Sequence, residues 1–262
     1  MCFDDPQVGS DWNPWSLIPP EFNLGEALTR AQVEAGRGGK VAILWENAAH
    51  ASRSLSYAEL DAVTSRLASS LAGLGVQRGD RVFLRLPNIP EFYLAALAVA
   101  KLGGIFIPSS TQFRASEVAY RLKDSGAVAA VTTSGLLNVV DEAAASIPEL
   151  KQIIVVPYPE PMTLGDKHIE FGKLVSEGSE AFATTPTRSD DIAFIAYTSG
   201  TTNYPKGVVH YHRYPIACEG LVRYWHDYRP DDVVACPSEL GWLLPVACTF
   251  LYALSRGLKV LL

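Results

Sequence analysis

"DIAFIAYTSGTTNYPKGVVH", residues 191–210, joins a run of apolar residues to a segment rich in hydroxyl side chains and glycine. The apolar run predicts a buried β-strand that ends where the hydroxyl-rich segment begins. A turn directly after a buried strand presents its backbone N–H groups at the carboxyl edge of a parallel sheet, where open α/β folds bind ligands. The stretch therefore predicts an α/β fold with a binding site at this edge.

The hydroxyl-rich segment has the composition of a phosphate-binding loop. Side chains that can donate hydrogen bonds to anionic oxygens belong to Thr198, Ser199, Thr201 and Thr202. Gly200 and Gly207 allow backbone conformations that other residues adopt only at a cost, and Lys206 supplies a positive charge. An ordinary solvated loop has the same composition, so that interpretation stays open. The position directly after a buried strand favours phosphate.

The two common nucleotide-binding motifs are absent from the sequence. A Walker A loop requires glycine, four residues and then Gly-Lys-Ser or Gly-Lys-Thr, whereas here Lys206 precedes Gly207. A GxGxxG motif would need a third glycine after Gly36 and Gly38, but Val41 occupies that position. A phosphate site in this chain must therefore be of another kind.

Upstream of residue 191, helical and strand patterns alternate. A helix is predicted from Ser56, which forms a capping box with Glu59, to a stop at Gly75. Asn88 and Glu91 predict a second cap pair, for a helix that ends at residues 103–104. Strands are predicted at residues 81–87, 105–108, 127–133 and 152–156, and further helices at residues 116–123 and 136–145.

Downstream, residues 157–191 are rich in Pro, Gly, Ser and Thr and predict a surface excursion between two similar halves. Helices are then predicted at residues 215–228 and 247–254, and strands at residues 231–236 and 258–262. Because strands and helices alternate without hairpin signals, we expect an α/β fold of parallel-rich sheets with crossover helices. The last strand, "KVLL", has no predicted partner, so we expect it to form an unpaired apolar edge.

Composition and charge narrow the classes of partner. The chain has 262 residues, 48% of them hydrophobic, with 22 basic against 28 acidic residues and a net charge of -6. Without a run of basic residues, we expect a small-molecule partner and no nucleic acid. The four cysteines lack CxxC spacing and no leader pattern is present, so we expect a reducing cytoplasm. The longest charge-free apolar stretch, residues 240–254, is too short for a membrane span.

Four segments carry a resemblance to a known family. They are "LSYAELDAVTSRLASSLAGLGVQRGDRV" (55–82), "LPNIPEFYLAALAVAKLGGIFIPSS" (86–110), "YTSGTTNYPKGVVHYHR" (197–213) and "CPSELGW" (236–242). In order and spacing they are similar to the adenylate-forming (AMP-binding) enzymes, the superfamily of acyl-CoA synthetases, peptide-synthetase adenylation domains and luciferases. Among its subfamilies the chain most resembles acyl-CoA synthetases that act on aryl or medium-length carboxylic acids.

The resemblance implies an ATP-dependent ligation of a carboxylic acid. The acid would join the α-phosphate of ATP with release of pyrophosphate, and the thiol of coenzyme A would then displace AMP. ATP, Mg²⁺ and coenzyme A are the implied cofactors; neither a magnesium ligand nor a catalytic residue is assigned within this segment. By resemblance, the phosphate-binding residues are Thr198, Ser199, Gly200, Thr201, Thr202, Asn203 and Lys206. Asn203 stands where the family most often has glycine, and asparagine tolerates the left-handed conformation better than most residues.

Trp242 corresponds by resemblance to an aromatic position beside the carboxylate and the acyl-transfer tunnel. A buried core tryptophan is the alternative, since large aromatic side chains dominate protein cores. His210 and His212 lie two residues apart, which on a strand would place both rings on one face. No third ligand is arranged nearby in the sequence, so we predict no metal site.

The expected domain organisation is a lead-in at residues 1–21 and a truncated adenylation domain at residues 22–262, because the family's adenine pocket, hinge and lid domain find no match here. We expect the chain to be inactive alone, with a complementing C-terminal half or self-association as its protein contacts. A non-catalytic remnant that acts only as a nucleotide-binding or interaction module is the alternative. A third reading, an unrelated phosphate-binding α/β protein complete at this length, also stays open.

Overall fold

The computed structural model describes residues 14–160, 163–165, 167–198 and 204–262, which form two sheets with helices packed between and around them. The strands are β1 (Val41–Glu46), β2 (Ser52–Ser56), β3 (Arg81–Arg85), β4 (Ile105–Pro108), β5 (Ala129–Thr133), β6 (Gln152–Val156), β7 (His168–Glu170), β8 (Ile192–Thr198), β9 (Lys206–Tyr211), β10 (Val233–Ala235) and β11 (Lys259–Leu261).

The helices range from single turns to a segment of 17 residues. They are α1 (Leu24–Ala27), α2 (Arg30–Gln32), α3 (Tyr57–Gly73), α4 (Pro90–Lys101), α5 (Ala115–Ser125), α6 (Leu137–Ala144), α7 (Phe171–Glu177), α8 (Tyr214–Ala217), α9 (Glu219–Leu221), α10 (Leu243–Pro245) and α11 (Ala253–Ser255). Short 3₁₀ turns lie at Pro14–Leu17 and Ser134–Leu136, and π-helical turns at Val33–Arg37, Val222–His226 and Val246–Tyr252. None of the helices within the described ranges has the length and apolar character of a membrane span.

The larger sheet has seven strands in the order β7-β6-β5-β3-β4-β8-β9, and all of its neighbours are parallel except β8 and β9. The smaller sheet has the order β10-β11-β1-β2, in which only β1 and β2 are antiparallel. The prediction of parallel-rich α/β sheets with crossover helices is confirmed. Two antiparallel pairs, β1–β2 and β8–β9, occur where no hairpin signal is present in the sequence.

The core consists of two layers, one on each face of the larger sheet. Residues alternate along the strands, so that Val82 and Leu84 of β3 face one layer while Phe83 faces the other. The first layer lies between the two sheets and contains α3 and α4; the second contains α5 and α6. All residues of α4 except Glu91 are buried, as expected for a helix that is apolar all round.

A buried ammonium group ends α4. Lys101 is 1% exposed, and its Nζ donates to Asp61 Oδ1 at 2.5 Å and to Ser65 Oγ at 2.9 Å, both on α3. Burial lowers the pKa of Lys101, while the hydrogen bond to Asp61 and the negative charge of Asp61 raise it. The carboxylate of Asp61 offsets the desolvation cost of the buried Lys101 cation. Because Asp61 lies on α3 and Lys101 on α4, this contact fixes how the two helices pack.

Of the two helix caps predicted from the sequence, one is present and one is not. The capping box of Ser56 and Glu59 is present at the start of α3. The predicted cap pair of Asn88 and Glu91 is not: Ile89 occupies the N-cap of α4 without a side-chain cap, and Glu91 pairs with Arg53. The side chain of Asn88 is engaged elsewhere, by residues 150 positions or more away in the sequence.

Three further predictions need correction. Residues 157–191 are not only a surface excursion, because they contribute β7 to the sheet edge and α7, which packs on α3. The strand that contains "KVLL" does not form an unpaired edge: β11 lies between β10 and β1 and is parallel to both. The segment 215–228, predicted as one helix, is divided into α8, α9 and a π-helical turn.

The close packing of α7 on α3 predicts opposite effects for two glycine substitutions. Gly178, after α7, has no room for a Cβ, which would lie 2.0 Å from the carbonyl oxygen of Arg66; at Gly73, the exposed last residue of α3, a Cβ meets nothing within 4 Å. We expect Gly178→Ala to lower the free energy of unfolding by about 2 kcal/mol or more. The control Gly73→Ala should raise it by up to about 1 kcal/mol. Urea unfolding measures both, and midpoints that shift in the same direction would contradict the packing described.

The buried ring of His212 predicts a loss of stability in mild acid. Its Nδ1 accepts the backbone N–H of Leu24 at 2.9 Å, and burial lowers the pKa of His212 to about 4, against the opposing charge of Asp191. Because the unfolded chain takes up the proton near pH 6.5, this contribution is complete above pH 6.5 and is lost as the pH falls toward 4.

The variant His212→Asn tests this, because an amide oxygen can keep the acceptor but does not titrate. Between pH 6.5 and 4, the slope of unfolding free energy against pH should be smaller than in the wild type by up to about 1.4 kcal/mol per pH unit. Identical slopes would show that His212 is not the group responsible.

Candidate phosphate and acyl site

The two ends of the predicted phosphate loop meet at the carboxyl edge of the larger sheet. Thr198 is the last residue of β8 and Lys206 the first of β9, and the two are cross-strand partners in the antiparallel register. Both residues are exposed. The intervening predicted residues Ser199, Gly200, Thr201, Thr202 and Asn203 lie outside the described residues. At its two ends the loop thus presents the hydroxyl group of Thr198 and the ammonium group of Lys206 side by side.

Helix α5 contacts both ends of this loop. The hydroxyl of Tyr197, next to Thr198, donates to Asp124 Oδ2 at 2.6 Å. At the other end, the hydroxyl of Tyr120 donates to the carbonyl oxygen of Pro205 at 3.1 Å, and the Tyr120 ring stacks on the ring of Tyr204 with centroids 5.3 Å apart. The residues that flank Thr198 and Lys206 are therefore both attached to one helix.

Arg121 of α5 lies between two aromatic rings. Its guanidinium carbon is 3.8 Å from the ring centroid of Phe113 and 5.7 Å from that of Tyr197. Nη1 donates to the carbonyl oxygen of Glu117 at 2.8 Å, while Nε has no hydrogen-bond partner. Burial lowers the pKa of Arg121. Since both distances are within cation–π range, the rings partly replace water around the charge.

Trp242 also contacts Phe113, the residue whose ring lies against Arg121. The two rings are in edge contact with centroids 5.8 Å apart, and Trp242 is 39% exposed. The alternative that Trp242 is a fully buried core residue is therefore not what the structure shows. Thr198, Lys206 and Trp242, all singled out in the sequence, lie around one helix and its preceding loop.

The backbone before Trp242 is packed against the end of β4. A Cβ on Gly241 would lie 2.3 Å from the backbone nitrogen of Ser110, so only glycine allows this approach. Asn88 holds the same segment from the other side, with Oδ1 accepting the N–H of Leu240 at 2.9 Å and Nδ2 donating to the carbonyl oxygen of Ser238 at 3.0 Å. This engagement explains why Asn88 does not cap α4.

Glu239 is a residue of the site that the sequence patterns did not single out. Its carboxylate accepts two hydrogen bonds of 2.6 Å, from the hydroxyl of Ser110 and from the N–H of Thr111. Its position three residues before Trp242 in "CPSELGW" was a signal that it belonged to the same segment.

Arg85, 1% exposed at the end of β3, supports the same loop. Its Nη2 donates to the carbonyl oxygens of Thr111 and Phe113 at 2.7 and 2.9 Å. Burial lowers the pKa of Arg85, and the charge of Glu239 acts in the opposite direction. A buried cation and a carboxylate thus hold the loop after β4 from its two sides.

His210 and His212 serve different purposes. The ring of His210 stacks on Phe194 at 4.4 Å and is in edge contact with Tyr214, whereas His212 accepts the N–H of Leu24. Within the described ranges, no group of three or more His, Cys, Asp or Glu side chains is arranged to hold a metal ion.

Comparisons with known proteins identify the family of the chain. The family model of the AMP-binding enzymes matches residues 30–262. An uncharacterised acyl–CoA ligase of Bacillus subtilis is 30% identical over 92% of this chain and 44% of its own length. An acetyl-coenzyme A synthetase of Mycobacterium tuberculosis is 33% identical over 90% of this chain and 38% of its own. A 4-hydroxybenzoate–CoA/benzoate–CoA ligase of Rhodopseudomonas palustris is 33% identical over 84% and 39%.

The fold has a close counterpart among solved structures. The crystal structure of an acyl-CoA synthetase of Brucella canis superposes with a TM-score of 0.86 at 22% identity, and covers 96% of this chain and 46% of its own. The chain therefore spans less than half of the length of each of these proteins. The family match excludes the alternative of an unrelated phosphate-binding protein. The chain belongs to the AMP-binding enzymes, the family of the acyl-CoA synthetases.

Proposed function

We propose that this chain is the N-terminal portion of an ATP-dependent acid–CoA ligase that forms AMP. The observation that carries the proposal is the pairing of Thr198 with Lys206 at the carboxyl edge of the larger sheet, in a chain matched by the AMP-binding family model. A hydroxyl donor beside an ammonium group suits the oxygens of a nucleotide polyphosphate.

In the proposed reaction, a carboxylate oxygen attacks the α-phosphorus of ATP. The bond to the β-phosphate oxygen breaks, pyrophosphate leaves, and an acyl adenylate remains. The sulfur of coenzyme A then attacks the acyl carbon, AMP leaves, and the thiol proton is released. The first step places negative charge on the departing phosphates, which preorganised donors stabilise.

Lys206 and Thr198 would hold the β- and γ-phosphates and the departing pyrophosphate, with Ser199, Gly200, Thr201, Thr202 and Asn203 completing the loop. Mg²⁺ supplies charge neutralisation when bound to the phosphates; we assign it no protein ligand here. The ammonium group of Lys206 is a donor without an acceptor lone pair, so it fits phosphate.

Trp242 would form a wall of the acyl region. Its ring is 39% exposed and is held in place by edge contact with Phe113, while Gly241 packs against Ser110. An exposed ring on a fixed backbone is suited to contact a planar or apolar acyl group. Relatives named for acetyl and for benzoate or 4-hydroxybenzoate substrates support a small carboxylic acid as the substrate class. We propose a cytoplasmic location for this reaction.

The proposed domain division is a lead-in at residues 1–21 and a portion of an adenylation domain at residues 22–262. Because the relatives are more than twice as long as the matched segment, we propose that groups for adenine, ribose and carboxylate are supplied outside it. A complementing half is the partner that this proposal implies.

Removal of the Lys206 charge tests the phosphate assignment. Lys206 is exposed, so Lys206→Ala removes a point charge and little packing, and the fold should be unchanged. In a full-length or reconstituted enzyme, the Kd for ATP or pyrophosphate should rise by about tenfold, as expected for one charge-assisted contact.

The matched control is Lys151→Ala. Lys151 is also exposed but precedes β6, at the amino edge of the same sheet. Lys151→Ala changes the net charge by the same amount as Lys206→Ala and should leave the Kd for ATP or pyrophosphate unchanged. Calorimetric titration with pyrophosphate compares the two variants, and equal affinity of Lys206→Ala and wild type would remove Lys206 from the site.

Residues 1–262 alone should not catalyse carboxylate-dependent ATP–pyrophosphate exchange, because a loss of reactant positioning forfeits several kcal/mol of catalysis. The assay uses a panel of aryl and fatty acids, with the full-length acetyl-coenzyme A synthetase of Mycobacterium tuberculosis and acetate as the positive control. Exchange by the purified chain would show that the site closes within these residues. ATP binding that never supports exchange, even with a complementing half, would favour the nucleotide-binding module.

A further inference from the structure

Helix α5 contacts both ends of the phosphate loop through its side chains. Tyr120 holds the β9 end through Pro205 and Tyr204, and Asp124 holds the β8 end through Tyr197. Position 124 lies four residues after 120 and three after 121, so Asp124 is a neighbour of both residues on the helix surface. Proposed phosphate contacts at Thr198 and Lys206 are the immediate neighbours of these attachments.

The helix itself is firmly attached to the core. Val118 and Leu122 are fully buried in the layer that α5 shares with α6. The first turn is closed by the N–H of Arg114, which donates to Glu117, and the last by Gly126 in a left-handed C-cap. A helix fixed in this way can serve as a reference for the groups attached to its outer face.

Arg121 extends the attachment to the acyl side of the site. Its guanidinium lies over Phe113, and Phe113 is in edge contact with Trp242. The residue is 5% exposed; its Nη1 donates to the carbonyl oxygen of Glu117 within the helix, and its guanidinium contacts the rings of Phe113 and Tyr197 beyond the helix. A continuous series of ring contacts therefore joins the loop to Trp242 through α5.

We propose that Tyr120 and Arg121 are positioning residues, which fix Thr198 and Lys206 relative to Trp242 so that the nucleotide phosphates and the acyl group are held at a set separation. Neither residue is proposed to contact the substrate. The inference rests on the proposed function, since it assigns these residues a purpose at that site. Tyr120 adds a ring stack with Tyr204 and a hydrogen bond to Pro205 to the ladder that pairs Lys206 with Thr198.

Two measurements on the 262-residue chain distinguish the attachment of the loop to α5 from the binding of phosphate. The first is residue-resolved amide exchange at Lys206 and Gly207, with Ile154 in β6 as a reference for global opening. The second is the Kd for magnesium pyrophosphate. Exchange at Lys206 responds to the attachment whether or not a ligand binds, whereas the Kd also requires the proposed function.

Three variants of α5 give graded expectations. Tyr120→Ala removes ring and hydroxyl, and should raise both the Kd and the exchange rate at Lys206 and Gly207 by about tenfold, with no change at Ile154. Tyr120→Phe keeps the stacking and loses the hydrogen bond, so it should restore most of the wild-type values. Lys123→Ala, an exposed position on the same helix, is the matched control and should resemble the wild type.

Two further variants test the positioning role of Arg121. Arg121→Lys keeps the charge but loses the planar face, and Arg121→Met keeps most of the volume but loses the charge. The readout is the fluorescence emission of Trp242 in a background in which the other four tryptophans are phenylalanine, compared with its parent. A shift in both variants, with protection at Ile154 unchanged, supports the proposal.

Unchanged exchange at Lys206 and Gly207 in Tyr120→Ala would overturn the role of Tyr120, and unchanged Trp242 emission would overturn that of Arg121. If exchange rises in Tyr120→Ala but the wild-type chain does not bind pyrophosphate, the attachment is correct and the proposed function has failed at this length. If the wild type binds and Lys206→Ala binds equally well, the phosphate assignment is wrong, and the exchange data still decide the role of Tyr120.

Discussion

The burial of α4 between the two sheets is the constraint on which the rest of the structure depends. A helix with apolar residues on every side cannot remain in water, so neighbouring elements must cover it; α1, α3 and the ring of Phe250 pack on it. Because α4 connects β3 to β4, its position also fixes these two parallel strands as neighbours. The carboxyl ends of β3 and β4 carry Arg85 and the loop that begins at Ser109, and the candidate site is built on this loop.

Polar side chains join the site to that core. Asn88 precedes α4 and binds two backbone groups of the segment that contains Trp242, while Glu239 binds back to Ser110 and Thr111. These contacts cross between the two sheets, since the segment follows β10 of the smaller sheet. Buried polar groups cost free energy unless they are paired, so each contact strongly favours one relative placement of the two sheets.

Several features were predictable because they depend on neighbours in the sequence. The capping box of α3 involves residues three positions apart, and the apolar runs of β3 to β6 reflect the burial of parallel strands on both faces. The placement of Thr198 at the end of a buried strand followed from the same patterns. The family resemblance rested on motifs of this local kind, and the match over residues 30–262 confirmed it.

The sequence by itself determined the strands β3 to β6, the helices α3 to α6 and the location of the hydroxyl-rich loop at the end of β8. The tertiary structure alone decided that Asn88 binds Ser238 and Leu240 instead of capping α4, that β11 is paired on both sides, and that Glu239 and Tyr120 border the site. The physical reason is the separation of the interacting residues along the sequence. Caps and periodic faces arise from residues a few positions apart, whereas the side-chain partners of Tyr120 and Asn88 are 85 to 152 positions away and meet only in the folded chain.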